Sequence, residues 1–327
     1  MVELAGLPPG ALFSIIAHAS IPDPVFWAYD HKKLVEYSVV SSHLCALKEF
    51  FMDLVPEKKI NPRIKRVIGV ASGKGGVGKS TVAVLLAQAL AARGRSVGLL
   101  DADITGPSIP RLLGIDSFRA ESDGQRLIPI VNEEGIKALS INLFNEHEDE
   151  PVIWRGPLLA KAIEQFWGDT EWGDLDYLIV DFPPGTSDIA LTAFQKIPFA
   201  GIVVVATPQD YVSMIVSKQV KMAGMLDATV IGIVENMRTL ICPGCGEVVQ
   251  LFDDGSAGAA AHLGLPLWRK EVAQARSIRW NALPEAVQKD ADHIATEVEL
   301  ATAKRDTAKR DTAKSGVAPA ANQAERS

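Results

Sequence analysis

Gly73-Lys-Gly-Gly-Val-Gly-Lys-Ser80 is the stretch on which the reading of this chain turns. It satisfies the phosphate-loop pattern G-x-x-x-x-G-K-[ST], with Gly73 opening it, Gly78 and Lys79 closing it, and Ser80 where a helix starts. Gly73, Gly75, Gly76 and Gly78 let backbone N–H groups, those of Val77 and Thr81 among them, turn inward around phosphate oxygens without side-chain clashes. Lys79 can reach the β- and γ-phosphates, and the Ser80 hydroxyl can ligate Mg²⁺. Upstream, Arg66-Val-Ile-Gly-Val-Ala-Ser72 is a β-branched run; downstream, Thr81 to Arg93 reads as an amphipathic helix. Strand, glycine loop and helix N-terminus in that order form an anion site, so the sequence predicts a bound nucleoside triphosphate.

Outward from the loop, strand and helix patterns alternate. Candidate strands are Val67–Ala71, Ser96–Asp101, Ile136–Ile141, Tyr177–Asp181, Gly201–Ala206 and Val230–Val234. Candidate helices are Thr81–Arg93, Leu158–Trp167, Ile189–Lys196, Val212–Leu226 and Ser256–Leu263. Runs such as Ile202-Val-Val-Val205 predict burial on both faces, hence an α/β fold whose mostly parallel sheet is flanked by helices. Ligands then gather at the carboxyl ends of the strands. Residues 1–62, with turn signals at Leu7-Pro-Pro-Gly10 and Ile21-Pro-Asp-Pro24, read as a short N-terminal appendage. Residues 63–300 read as the nucleotide-binding domain. From Ala301, a Thr-Ala-Lys-Arg-Asp repeat has neither helical nor alternating apolar periodicity, so 301–327 is expected to be a disordered tail.

Composition bounds the function. A 327-residue chain with 47% hydrophobic and 22% charged residues can hold one large core plus appendages. A formal charge of −7 and a pI near 5.5 argue against a dominant nucleic-acid surface. No apolar run approaches the roughly 18 residues of a membrane helix, and Met1-Val-Glu-Leu-Ala5 lacks a basic leader. Three cysteines, two of them in Cys-x-x-Cys, suit a reducing compartment, and a cytoplasmic location is expected, with no nucleic-acid or membrane partner.

Two acidic segments complete the loop's chemistry. Leu99-Leu-Asp-Ala-Asp-Ile-Thr-Gly-Pro-Ser108 follows the second strand and puts Asp101 and Asp103 at its end, where an acid can position the attacking water or hold a metal-bound one. Leu178-Ile-Val-Asp-Phe-Pro-Pro-Gly-Thr186 delivers Asp181 beside a glycine turn, the place for an acid that assists the Mg²⁺ shell. The loop that follows can sense the γ-phosphate, with the Gly185 N–H as its contact. Separately, Cys242 and Cys245 sit on a tight Pro-Gly turn, where two thiolates converge on one centre. Two ligands do not complete a zinc or iron–sulfur site, which takes four. The third cysteine, Cys45, lies far away in sequence. Two chains would supply four thiolates for a [4Fe–4S] cluster; a shared zinc, a redox pair or a plain structural turn remain alternatives.

Several of these segments carry a resemblance. Lys74, directly after Gly73, resembles the extra lysine of the deviant phosphate loop in the MinD/ParA/nitrogenase-iron-protein superfamily. Asp101-Ala-Asp-Ile-Thr-Gly-Pro-Ser108 and Asp181-Phe-Pro-Pro-Gly-Thr-Ser-Asp188 are similar to signatures of its Mrp/ApbC branch. Thr207-Pro-Gln-Asp210, Val234-Glu-Asn-Met237 and Trp154-Arg-Gly-Pro157 look like it too, and the likeness runs from about Lys65 to Leu267. The resemblance implies that Lys74 crosses a dimer interface to the partner's phosphates and that Asp103 is the switch acid, supported by Asp101. It implies that Asn236 reads the adenine edge, and that Arg155 contacts phosphate or the partner. It implies a homodimeric, slow ATPase that binds a [4Fe–4S] cluster between subunits through Cys242 and Cys245. Such a carrier exchanges its cargo with assembly scaffolds and apo iron–sulfur proteins.

The departures are specific. Phe182 stands where the branch has leucine and Ser187 where it has glycine. The leader bears little likeness to the frequent MIP18-like domain and lacks a four-cysteine ferredoxin-like site, and the sequence drifts after Trp268. The competing readings are a ParA- or MinD-like partitioning or positioning ATPase, and a maturation NTPase that delivers another metal. Neither of the first pair explains Cys242 and Cys245.

Overall fold

The computed structural model describes residues 58, 60–104, 106–144, 156–185, 187–208, 217, 220–224, 228–241, 244–245, 247–251, 260, 263–269 and 277–315. The chain divides into two units between Val55 and Pro56. The N-terminal appendage expected over 1–62 lies almost wholly outside the described residues.

Among the described residues, β1 (Ile64–Ser72) runs up the middle of an eight-stranded sheet. The other strands are β2 (Val97–Asp101), β5 (Ile130–Val131), β6 (Lys137–Leu139), β7 (Leu175–Asp181), β8 (Gly201–Ala206), β9 (Val230–Glu235) and β12 (Leu267–Arg269). Two short pairs stand apart, β3 (Glu121–Ser122) with β4 (Leu127–Ile128) and β10 (Thr239–Ile241) with β11 (Val248–Gln250). The order across the main sheet is β12-β9-β8-β1-β7-β2-β6-β5, parallel at each pairing except the antiparallel β5–β6 edge.

Both faces are dry because successive side chains go to opposite layers. Ile202 and Val204 of β8 join one core with α3 (Gly156–Gly168) and α4 (Asp188–Lys196); Val203 and Val205 join the other with α1 (Lys79–Ala92). That second layer also holds α2 (Ile109–Leu113) and α5 (Glu285–Ser315). Phe182 is accommodated by a gap in β1. Its ring stacks 4.6 Å from Phe194 and packs 5.3 Å from Phe199. A Cβ on Gly69 would meet both the Phe182 ring and Ile202 at 2.6 Å.

Two expectations change. α1 is buried on nearly every side from Val82 to Leu90 rather than amphipathic, because α5 lies along its outer face. Gln88 donates to Ile278 O, and Arg93 pairs with Asp292 and Glu299. Of the tail expected to be disordered over 301–327, the stretch to Ser315 is helical, a continuation of α5, and residues 316–327 lie outside the described residues. Val287, Ala291, Ile294 and Val298 form its buried stripe, and Thr302 continues it. Beyond the stripe, Arg305 donates to Ala200 O and Asp306 accepts from Arg66. Alanine, lysine and arginine also carry high intrinsic helix propensity, which periodicity alone does not register. The helices expected over Val212–Leu226 and Ser256–Leu263 fall mostly outside the described residues; 217 and 220–224 are helical.

Candidate functional site

The phosphate loop links the carboxyl end of β1 to the first turn of α1, where Ser80 and Thr81 are half-buried. Gly76 and Gly78 take left-handed conformations, with φ of 79° and 83°, which a side chain would disfavour. Gly75 departs from the expectation that each loop glycine avoids a clash. Its backbone is not left-handed, it is exposed, and a Cβ there would meet only Pro184 Cγ, at an ordinary 3.9 Å. Packing within the protein therefore does not require glycine at that position, and the contact of Gly75 with phosphate stays an expectation.

Ser72, fully buried, donates through Oγ to Lys74 O at 3.0 Å, and its carbonyl accepts the Gly185 N–H at 2.8 Å. The loop is thereby tied to the turn after β7. In this conformation the Gly185 N–H is committed to Ser72, so its expected phosphate contact requires that bond to open.

Below the loop, β1, β2 and β7 converge their chemistry. Lys79 Nζ sits 2.6 Å from Asp181 Oδ1, 3.3 Å from Ser80 Oγ and 3.8 Å from Asp103 Oδ2. Asp181 is fully buried and Asp103 nearly so. Burial pushes the Asp181 carboxyl up from its ordinary range, against the pull of Lys79. Asp101 is pushed up to about 7 by burial first and by Asp181 next, with Lys79 opposing. Both of its oxygens serve the structure: Oδ1 accepts from Asp103 N, and Oδ2 from Ile109 N and Ser140 Oγ. Asp101 thus holds the backbone that presents Asp103.

The donor set fits Mg²⁺. Asp181 Oδ2 is buried without a hydrogen-bond partner, and the Ser80 hydroxyl and Asp103 carboxylate are the other hard oxygen groups around Lys79. Among the described residues no three His, Cys, Asp or Glu side chains cluster as a self-sufficient metal site.

Asn236 is brought to the loop by β9. Its N–H donates to Ala206 O, and its Nδ2 donates to Val77 O at 2.9 Å from a buried position. A Cβ on Gly78 would collide with that amide nitrogen. Asn236 therefore braces the loop, leaving its adenine contact as an expectation. Lys74 is half-buried on the loop, as is Gly73 before it. Thr207, at the end of β8, buries a hydroxyl with no partner.

The cysteine turn caps the β10–β11 hairpin, whose last pair is Ile241 with Val248. Cys245 is exposed and free. Cys242, Cys45, Arg155 and Asp210 lie outside the described residues. Ser187 has a structural role, since its Oγ caps α4 by accepting from Ala190 N. Sequence reasoning missed Ser140, which carries no motif, and the Glu235–Arg238 ion pair beside Asn236. It also passed over the left-handed Met237, with φ of 65°. Only the family-like Val234-Glu-Asn-Met237 stretch pointed near the last two.

Several known proteins are similar to this chain. An iron–sulfur cluster carrier protein of Clostridium perfringens is 52% identical over 212 residues, covering 62% of this chain and 74% of the relative. One from Methanocaldococcus jannaschii is 48% identical over 200 residues, covering 61% and 69%. A nucleotide-binding protein of Archaeoglobus fulgidus, solved with ADP, superposes with a TM-score of 0.57 at 38% identity, over 72% of this chain and 88% of that one. The cell division ATPase MinD of Pyrococcus furiosus, at 19% identity and a TM-score of 0.50 over 72% and 98%, shares the fold alone. Residues 63–298 match the ParA model described as the NUBPL iron-transfer P-loop NTPase, and the chain belongs to that family.

Proposed function

We propose that this protein is an ATP-binding, slowly hydrolysing iron–sulfur cluster carrier that works as a cytoplasmic homodimer. The observation that carries the reading is the convergence of Lys79, Asp103 and Asp181 beneath the phosphate loop. From that same loop, Asn236 leads within three residues to the hairpin bearing Cys245. Loop N–H groups and Lys79 bind the triphosphate. Asp103 orients the attacking water, and Asp101 fixes the Asp103 backbone. Ser80, Asp103 and Asp181 would hold Mg²⁺, which when bound neutralises charge on the phosphates. When nucleotide enters, Lys79 transfers part of its pairing from Asp181 to phosphate oxygen, freeing carboxylate oxygen for that ion. Lys74 acts on the partner's nucleotide across the seam. Cys242 and Cys245 of two chains together supply four thiolates to a [4Fe–4S] cargo, a number one chain's pair does not reach. The cargo passes from assembly scaffolds to apo iron–sulfur proteins.

Anaerobic reconstitution with iron and sulfide tests the reading. Wild type is expected to turn brown, bind about four iron atoms per dimer and elute as a dimer, while Cys242→Ala stays colourless. A cluster retained by Cys242→Ala, or carried by a strict monomer, would remove the assignment.

A further inference from the structure

The phosphate loop and the cysteine hairpin are joined by the turn Glu235-Asn236-Met237-Arg238, and Glu235, Asn236 and Arg238 are each fastened in it. Glu235 ends β9 in register with Ala206 on one side and Arg269 on the other, and is 1% exposed. Asn236 donates to Val77 O inside the loop and packs against Gly78. Met237 holds a left-handed backbone, uncommon for a residue with a side chain. Its Cε would lie 3.7 Å from a Cβ on Gly78. Arg238 returns to Glu235 through an ion pair at 3.4 Å, and its carbonyl accepts the Leu251 N–H at 2.8 Å, closing the base of the hairpin.

Thr239 then begins β10, which pairs with β11 up to the cysteine turn. Only residues 236–238 separate the sheet strand from the hairpin strand, so the connection has no slack. A shift at Val77 and Gly78 either carries Asn236 with it or breaks its bond. The Glu235–Arg238 pair spans Asn236 and Met237, tying the end of β9 to the base of the hairpin. A non-glycine residue in the left-handed region, as Met237 is, is a strained conformation of the kind that clusters at switch regions.

We propose that this turn is a mechanical relay, with Arg238 its positioning residue, by which nucleotide at the phosphate loop sets the exposure of Cys245. The meaning of the relay rests on the cluster-carrying role proposed above, but its test does not. Coupling of this kind requires the ligand to favour one arrangement over the other, so nucleotide must change the thiol's behaviour measurably.

The experiment is alkylation of Cys245 in the full-length, iron-free protein, read site by site by mass spectrometry. It is run without nucleotide, with Mg·ADP, and with a non-hydrolysable Mg·ATP analogue. In wild type the Cys245 rate is expected to change by about fivefold or more between empty and analogue-saturated protein. Arg238→Ala is expected to bind the analogue with wild-type affinity while its response shrinks to within about twofold. Should Arg238→Ala fail to fold, Met237→Gly preserves the left-handed geometry while loosening the turn, and a reduced response is expected there too. A wild-type rate indifferent to nucleotide, or a full response in either variant, overturns the relay. Failure of reconstitution with the thiol response intact would sink the cluster reading alone. Normal cluster uptake with an indifferent thiol would sink the relay alone.

Discussion

Lys79 Nζ stands 2.6 Å from Asp181 Oδ1, with the lysine side chain 7% exposed and the aspartate wholly enclosed. Taking either partner away strands the other in a dry site. Lys79→Ala is expected to abolish nucleotide binding by calorimetry and to cost about 3 kcal/mol of stability in denaturant unfolding at pH 8. The loss should shrink toward pH 5, because an unpaired Asp181 then takes up a proton and no longer needs the cation. A variant that loses binding but unfolds like wild type at both pH values would show the pair to be energetically idle.

Asp101 sets a pH dependence of opposite sense to the usual carboxylate. Its folded-state pKa is raised to about 7 from the ordinary value of 3.8. The folded protein therefore holds this proton where the unfolded chain has lost it, and stability falls as pH rises through that window. Melting temperature of the nucleotide-free protein should drop between pH 5 and pH 7.5. Asp101→Asn should flatten that drop. A melting temperature that climbs across the window would contradict the assignment of a proton-retaining carboxyl at this position.

Gly69 and Phe182 should behave as a coupled pair. Gly69→Ala puts a methyl 2.6 Å from both Phe182 Cε2 and Ile202 Cδ1, an overpacking worth about 1–3 kcal/mol of destabilisation. Phe182→Leu frees part of that space. In a double-mutant cycle by urea unfolding, the combined cost should fall below the sum of the single costs. Strict additivity would mean the β1 gap is not what admits the phenylalanine.

Removing residues 302–327 tests the helical reading of the tail. The truncation deletes the buried Thr302, the Arg305 bond to Ala200 O and the Asp306 pair with Arg66. We expect lower helical circular dichroism and a destabilisation of about 1–2 kcal/mol. Asp306→Ala alone, at a half-exposed pair, should cost under about 1 kcal/mol. A truncation that changes neither signal would restore the structureless tail.

How much of this was readable beforehand differs by element. The strand, loop and helix around Gly73–Ser80 needed only local pattern, because glycine placement, β-branched runs and helix starts are properties of neighbours in sequence. β8 and β9 were legible for the same reason, β8 being a run of six residues without a polar side chain and β9 one of five before Glu235. β12, three residues long, carries no such run and is a strand because β9 lies beside it. α5 had a readable stripe at Val287, Ala291, Ile294 and Val298, obscured by the repeat that follows it. Beyond that stripe it has no apolar face: Asp306 and Arg305 are held by Arg66 and Ala200, more than a hundred residues away, and the rest is carried by intrinsic helix propensity.

At the site, local pattern was enough to name the chemical groups: a phosphate loop, acids at the ends of two strands, and a cysteine pair of fixed spacing. What each group touches came from the folded arrangement alone. Lys79 finds Asp181 across 102 residues, and Asn236 finds Val77 across 159. The Gly185 N–H turns to Ser72 rather than outward. Hydrogen bonds and buried charge depend on distance and desolvation in three dimensions, and those are settled by how the parallel strands stack side by side, which no local stretch of sequence records.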